Sequence, residues 1–481
     1  MKHSVSPEAL LWQSTATVSC REGERPIQDV RSPVDDSIVG RVEQATEGDV
    51  ERLVPAAARA AQAVRTASRQ QRQIWLRSMA QSIENHLDEL AMDIVMSIGK
   101  PLNAAQAEVR RSSAVLRLCA DELVQPAGDV LPLDLASAGV GRLGFTTREP
   151  FGLVAAVTPF NAPLNLLVQK LGPALAMGNS VIVKPAPEGA IPTLRFEQIC
   201  RPLLPADSFT TVAGGPNVAR AIARHTDVAC VSLTGGNVAG EALLGAAGIK
   251  PVHLELGSNA PAVVLADADL SMAARKLARS SFEASGQQCI STQRIFVQEE
   301  VMSRFLELFI KEAECLNVGD PRERDVSVGP MVRQEARDRV VDLIDEAEEV
   351  GAALLLDGRR DDLYLGPTIV RAAERPIRLL HEEAFGPVVV IDQFVDVGEA
   401  IAKANSVLNC LQASCFTADL KLALHLGSEL RAGAVWINEG TRFRLDNYPF
   451  GGVGGSGLGR EGIRYAMEAM SQHKFIGINP G

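Results

Sequence analysis

The chain has 481 residues, of which 46% are hydrophobic and 22% charged, the composition of a globular protein with a large core and not of a disordered one. A net charge of −11 argues against a nucleic-acid partner, and no basic tract offsets it. No run approaches the ~18 apolar residues of a membrane span, and at roughly 100–200 residues per domain the length implies two or three domains.

The first twenty residues, "MKHSVSPEALLWQSTATVSC", lack the apolar core of a signal peptide, so a cytoplasmic protein is expected. Up to about Ala127 the chain reads as mainly helical. "DVERLVPAAARAAQAVRTAS" is alanine-rich, and "RQIWLRSMAQSIENHLDELAMDIVMSIGKP" repeats apolar residues at 3–4 spacing before a Gly-Lys-Pro stop. "EVRRSSAVLRLCADELV" continues that pattern. The aperiodic, Gly- and Pro-rich "QPAGDVLPLDLASAGVGRLG" then reads as a linker or arm.

From Glu149 short apolar runs alternate with helical stretches. "GLVAAVTPF", "SVIVKPA", "TTVAG", "VACVSLTG" and "PVHLELG" are strands, with "LNLLVQKLGPALAMGN" and "PNVARAIARH" between them. That alternation predicts a parallel sheet covered by helices on both faces, an α/β fold. Such sheets bind ligands at the carboxyl ends of their strands. Here those ends carry Thr158-Pro-Phe-Asn161, Lys184, Thr234-Gly-Gly and Glu255. A second series starts near Ala260 with "PAVVLADADL", "QRIFVQEEV", "GPTIV", "PVVVIDQF" and "GAVWIN". It closes on the glycine cluster "PFGGVGGSGLGREG" and a terminal strand in "HKFIGINPG".

Eight cysteines, at positions 20, 119, 200, 230, 289, 315, 410 and 415, form no CxxC pair, so zinc-ligand spacing is absent and no metal is expected. Cys289 stands apart because small and polar residues surround it, in "FEASGQQCIST". A thiol attacks as thiolate and needs a neighbouring base or helix N-terminus to form it. Period-two geometry sets His253 and Glu255 on one face of the "VHLELG" strand and Leu254 and Leu256 on the other. Glu255 is therefore a candidate base, while His253 is either a packed neutral histidine or the partner in a Cys–His hydrolase. Asn161, between two prolines, could donate to an oxyanion or be an ordinary turn residue. Lys184 could bind phosphate or ribose, and "SLTGGNVAGEALL" places small residues where a helix N-terminus could meet a phosphate. The glycine cluster lacks the lysine of a P-loop and reads as a tight loop that lets backbone segments approach.

Six of these blocks in order and spacing resemble the aldehyde dehydrogenase superfamily, NAD(P)-dependent and non-acylating. They are "TPFNAPLNLLVQKLGPALAMGNSVIVKPAP", "LTGGNVAG", "HLELGSNAPAVVLADADL", "SGQQCIS", "EEAFGPVVV" and "PFGGVGGSGLGREG", and the likeness runs nearly end to end. The resemblance implies Cys289 as nucleophile, Glu255 as general base and Asn161 as oxyanion donor. It also implies NAD or NADP as cofactor, with Thr158, Phe160, Lys184, Gly235, Gly240, Glu383 and Phe385 holding it. Lys170 and Glu461 match polar positions behind the site. The implied architecture is a Rossmann-type NAD(P)-binding domain (residues 1–127 and 150–256), an α/β catalytic domain (257–465) and a β oligomerisation arm (128–149 and 466–481). A homodimer or homotetramer acting on a small-molecule aldehyde follows from the same likeness.

Three departures bear on specificity. Pro187 falls where a ribose-binding glutamate often sits, with Glu188 displaced by one, which keeps NADP open. Gly236 removes a hydroxyl that usually meets the pyrophosphate. Gln288 precedes the nucleophile where relatives acting on phosphorylated or phosphonate aldehydes carry arginine. Arg111 and Arg444 resemble two arginines that bind an anionic tail in those relatives, and Arg442 is an extra candidate, so a small polar or anionic aldehyde is expected. Two other classes stay open at this point: a cofactor-free cysteine hydrolase or esterase, and an inactive scaffold.

Overall fold

The computed structural model describes residues 11–12, 26–125, 128–360 and 362–480. Cys20, the boundary expected at residue 127 and the terminal Gly481 lie outside the described residues.

The apolar runs after Glu149 form one six-stranded sheet. In spatial order its strands are Gly457–Leu458, Val252–Glu255, Val228–Thr234, Leu153–Thr158, Ser180–Pro185 and Phe209–Thr211. All neighbours are parallel except Gly457–Leu458, which runs antiparallel to Val252–Glu255. Strand alternation explains why these runs are almost wholly apolar. Val154 and Ala156 face a core built with helices Arg69–Asn85, Leu87–Ile98, Leu102–Glu122 and Asn165–Met177. Leu153, Ala155 and Val157 face the opposite core, with helices Glu47–Thr66, Pro216–Arg224 and Asn237–Ala247. Each fully buried Val or Leu in these layers contributes about 1.5–3 kcal/mol.

The second apolar series forms a seven-stranded sheet, ordered Ala353–Leu356, Thr368–Arg371, Val388–Phe394, Thr292–Gln298, Ala260–Val264, Gln412–Phe416 and Ala434–Ile437. Only its first pair is antiparallel. The architecture is α/β, with two largely parallel sheets. A third, three-stranded antiparallel sheet joins Ser471–Ile478, Leu143–Pro150 and Val130–Leu131, pairing the Gly- and Pro-rich segment with the terminal strand.

The N-terminal region is mainly helical as expected, with helices Glu47–Thr66, Arg69–Asn85, Leu87–Ile98 and Leu102–Glu122, but its start departs from that reading. It opens with strands Leu11–Trp12, Ile27–Arg31 and Ile38–Glu43 before the first helix. Only Val30 and Val42 in the latter two strands are buried apolar residues, too few for a periodic signal. The long helical stretch after Ser68 is two helices: His86 leaves helical geometry, and Gly99, at φ +71°, ends the second. No helix among the described residues is long and apolar enough to cross a membrane.

Candidate active site

Cys289 sits in a loop that the chain holds against its own preference. Ala284 and Ser285, at φ +54° and +59°, both occupy the left-handed region, and Gly286 follows at φ +62°. Two non-glycine residues there cost of order 1–3 kcal/mol each, so surrounding contacts must hold the turn. Ala284 N donates to Ser327 O at 3.0 Å, and Ser285 Oγ donates to Gly329 O at 2.8 Å. A Cβ on Gly286 would lie 2.2 Å from Gly386 O, so the turn is also packed against the segment carrying Glu383 and Phe385.

Of the seven described cysteines, five are buried, Cys315 is exposed and Cys289 is half-buried at a cavity of about 230 Å³. Asn161, Arg111, Arg442, Arg444, Gln288, Lys100 and Glu108 line the same cavity. Burial, with the Glu383 carboxylate next, pushes the Cys289 thiol up to about 12, while Arg444 opposes. Burial alone holds Cys415 at about 11, so it is access, not acidity, that sets Cys289 apart. A resting thiol of this kind needs a group that takes its proton.

Glu255 is the candidate for such a group. It ends its strand 5% exposed, with Oε2 buried and unpartnered. Burial and the Glu461 carboxylate raise its proton affinity well above the usual carboxylate range, against Arg444, Lys170 and Arg460. Behind it, Lys170 Nζ donates to Glu461 Oε1 at 3.0 Å and Arg444 Nη2 to Glu461 Oε2 at 2.8 Å. Burial opposes ionisation of Glu461, but the two cations prevail and hold it below its ordinary value. The two carboxylates are thus split, one protonated readily and one fixed as an anion, a division associated with functional sites. His253 is hydrogen-bonded away from the two carboxylates: its ring Nε2 lies 2.8 Å from Ala469 O, and burial lowers its proton affinity, with Lys170 adding to that and Glu461 opposing it.

The Asn161 amide donates to Gln287 O at 2.9 Å, which ties it to the residue two before Cys289. Its second N–H remains for the cavity.

Thr158, Lys184 and Thr234 gather at the carboxyl ends of adjacent strands. The hydroxyls of Thr158 and Thr234 are buried without a partner. Lys184 is 7% exposed and donates no hydrogen bond among the described residues. Burial lowers its proton affinity, with Glu188 opposing. Unpartnered polar groups in that position fit a polar ligand such as a dinucleotide. Phe385, at φ +53°, brings its ring edge-on to Phe160, centroids 5.9 Å apart. Glu383 beside it accepts from Ser258 N at 3.0 Å, and burial raises it to about 7.

The two glycines expected under the pyrophosphate have packing reasons too. Gly235 N donates to Glu255 O at 3.0 Å, and a Cβ on Gly240 would lie 2.6 Å from Leu256 Cδ2. The glycine cluster is a close-approach loop: a Cβ on Gly457 would meet Leu254 O at 2.0 Å. Glu188, displaced from the ribose position, pairs with Arg333.

All three candidate substrate arginines reach the cavity, and each already has a carboxylate. Arg111 grips Asp446 through Nε at 3.0 Å and Nη2 at 2.6 Å, and Gln169 holds the same carboxylate at 2.6 Å. Arg442 pairs with Glu283 and donates to Gln288 Oε1 at 2.7 Å. Arg444 lies over the Phe450 ring, 3.6 Å from its centroid, with Nε buried and unpartnered. Sequence reasoning missed Asp446, Glu283, Gln169, Lys100 and Glu108. Only Glu108 left a signal, a charge at a core-facing position in an amphipathic helix between buried Ala105 and Ser112.

The site thus combines a cysteine that lines a cavity, a buried carboxylate of raised proton affinity and unpartnered polar groups at the carboxyl ends of the six-stranded sheet. The chain belongs to the aldehyde dehydrogenase family, whose model matches residues 20–476. It is 38% identical to aspartate-semialdehyde dehydrogenase 1 of Pseudomonas canavaninivorans, over 94% of this chain and 97% of that protein. It is 36% identical to 3-sulfolactaldehyde dehydrogenase of Priestia aryabhattai, over 90% and 91%. Among solved structures, glyceraldehyde-3-phosphate dehydrogenase of Methanocaldococcus jannaschii in complex with NADP superposes with a TM-score of 0.91 at 34% identity, covering 95% of this chain and 99% of that one. The protein is an NAD(P)-dependent aldehyde dehydrogenase.

Proposed function

We propose that this enzyme oxidises a short aldehyde with an anionic tail to its carboxylic acid, with Cys289 as nucleophile, Asn161 as oxyanion donor and Glu255 as base. The observation that carries the substrate class is the Arg444 guanidinium, buried at the cavity with its Nε unpartnered, beside Arg111 and Arg442. A guanidinium edge of this kind suits a carboxylate, sulfonate or phosphonate. Three of the relatives are named for aldehydes with such a tail, aspartate semialdehyde, 3-sulfolactaldehyde and glyceraldehyde 3-phosphate.

The chemistry follows from the side chains. The Cys289 thiol loses its proton towards Glu255 and its sulfur adds to the aldehyde carbon, giving a thiohemiacetal. The Asn161 amide and the Cys289 backbone N–H stabilise the oxyanion; one such donor is worth about 3–4 kcal/mol. A bound nicotinamide would supply the acceptor for the hydride that leaves this carbon, and Cys289 would then carry the acyl group as a thioester. Glu255, once it has passed that first proton to solvent, takes a proton from the water that attacks the thioester, and the Cys289 thiolate leaves as the acid is released. Thr158, Thr234 and Lys184 would hold the cofactor's polar parts, and Phe160, Glu383 and Phe385 its nicotinamide end. The three-stranded arm supports assembly into a homodimer or homotetramer: Val130, Leu135, Val140 and Phe475 are 74%, 87%, 68% and 52% exposed.

The test is initial-rate turnover of short carboxy-, sulfo- and phosphono-aldehydes against hexanal, benzaldehyde and a neutral hydroxyaldehyde, with NAD and with NADP. The anionic set should give the highest kcat/KM, and Arg444→Met should remove most of that preference. Faster turnover of hexanal or benzaldehyde would refute the substrate class.

A further inference from the structure

The turn that carries Asn161 is fastened by a buried ion pair from a different part of the chain. Lys100 and Glu108 are 9% and 6% exposed, and Lys100 Nζ donates to Glu108 Oε2 at 2.5 Å. The same ammonium donates to the Asn161 carbonyl oxygen at 2.9 Å. The other Glu108 oxygen accepts from Leu164 N at 3.0 Å and Asn165 N at 3.1 Å, the amides that open helix Asn165–Met177. The pair therefore clamps the 161–165 turn at both ends, while Gln287 O orients the Asn161 amide.

The clamp is joined to the nucleophile loop. Lys100 follows Gly99, where a Cβ would lie 2.6 Å from Pro330 Cγ, and a Cβ on Gly329 would lie 2.2 Å from Gly99 O. Gly329 O also accepts the Ser285 hydroxyl at 2.8 Å. One packed corner thus sets both the left-handed turn before Cys289 and the base of Asn161. A lone buried charge is strongly disfavoured, so neither member of the pair is free to leave the other and release the turn.

We propose that Lys100 and Glu108 are positioning residues that act through Asn161, holding its amide where the oxyanion forms. This rests on the reading of Asn161 as oxyanion donor. A misplacement of about 1 Å in such a site costs on the order of 100-fold in rate.

The experiment is a double-mutant cycle on the full enzyme. Lys100→Met/Glu108→Gln removes both charges together, so no buried charge is left alone, and Lys100→Met is run beside it. Thermal unfolding and quenching of Trp75 and Trp436 fluorescence by NADP check that the variants fold and bind cofactor. The expected result is a kcat lower by about 10- to 100-fold at little-changed cofactor KM, and less than about threefold further loss when the pair variant is added to Asn161→Ala. A pair variant with near wild-type kcat, beside an impaired Asn161→Ala, overturns the proposal alone. So does a loss that multiplies fully on the Asn161→Ala background. Wild-type kcat in Asn161→Ala overturns the oxyanion reading and the proposal with it.

Discussion

Replacing Glu461 by Gln tests the electrostatic division behind Cys289. In the native protein this carboxylate answers two buried cations, Lys170 at 3.0 Å and Arg444 at 2.8 Å. Gln keeps the shape and removes the charge. Two consequences follow, with different readouts. The first is stability: breaking a buried ion pair from one side costs about 3–5 kcal/mol. The Glu461 proton affinity is lowered in the folded protein, so its stabilisation is present above the ordinary carboxylate value and is lost as pH falls through the lowered one. Wild type should gain its extra stability over the variant as pH rises through the usual carboxylate range. The melting-temperature gap should therefore be wide at neutral pH and close in acid.

The second consequence is catalytic. The Glu461 charge helps to raise the proton affinity of Glu255, and Lys170 and Arg444 lower it. The variant loses the first influence and leaves the other two unanswered. Glu255 must then become more acidic. The acidic limb of the kcat–pH profile, where deacylation needs the Glu255 carboxylate, should move to lower pH. A limb that stays in place, or moves up, would refute the argument.

Three further predictions are independent of that one. Gly286→Ala places a Cβ 2.2 Å from Gly386 O at a positive φ, so it should destabilise the fold by ~2 kcal/mol or more and lower kcat, read by thermal melts and turnover. With the thiol pushed up to about 12, alkylation of Cys289 by iodoacetamide in cofactor-free enzyme should quicken roughly tenfold per pH unit from neutral pH upward; a plateau below pH 8 would show a pre-formed thiolate. Pro187→Glu should lower the NADP-to-NAD ratio of kcat/KM by about tenfold, because a carboxylate there repels a 2′-phosphate; an unchanged ratio would place the ribose elsewhere.

Much of the fold was legible because the first sheet is buried on both faces. Its strands read as uninterrupted apolar runs, and their ends at Thr158, Lys184, Thr234 and Glu255 are the ends of the strands in space. The N-terminal strands were not legible, since Ile27–Arg31 and Ile38–Glu43 bury little and carry mixed polarity. The split at His86 was hidden because the apolar spacing continues across it. In the site, Cys289 was singled out by its unusual polar setting and Glu255 by strand parity, and only the family resemblance gave them roles. The carboxylates that answer each arginine were not found, because Arg111 and Asp446 lie 335 residues apart and no local pattern links them. Lys100 and Asn161, 61 residues apart, are the same case.

The most direct measurement is reduced-nicotinamide absorbance with a short anionic aldehyde and NAD or NADP, for wild type and Cys289→Ala. The account predicts steady turnover by wild type, none by the variant, and unchanged quenching of tryptophan fluorescence by the cofactor in both. Turnover that survives in Cys289→Ala would contradict it.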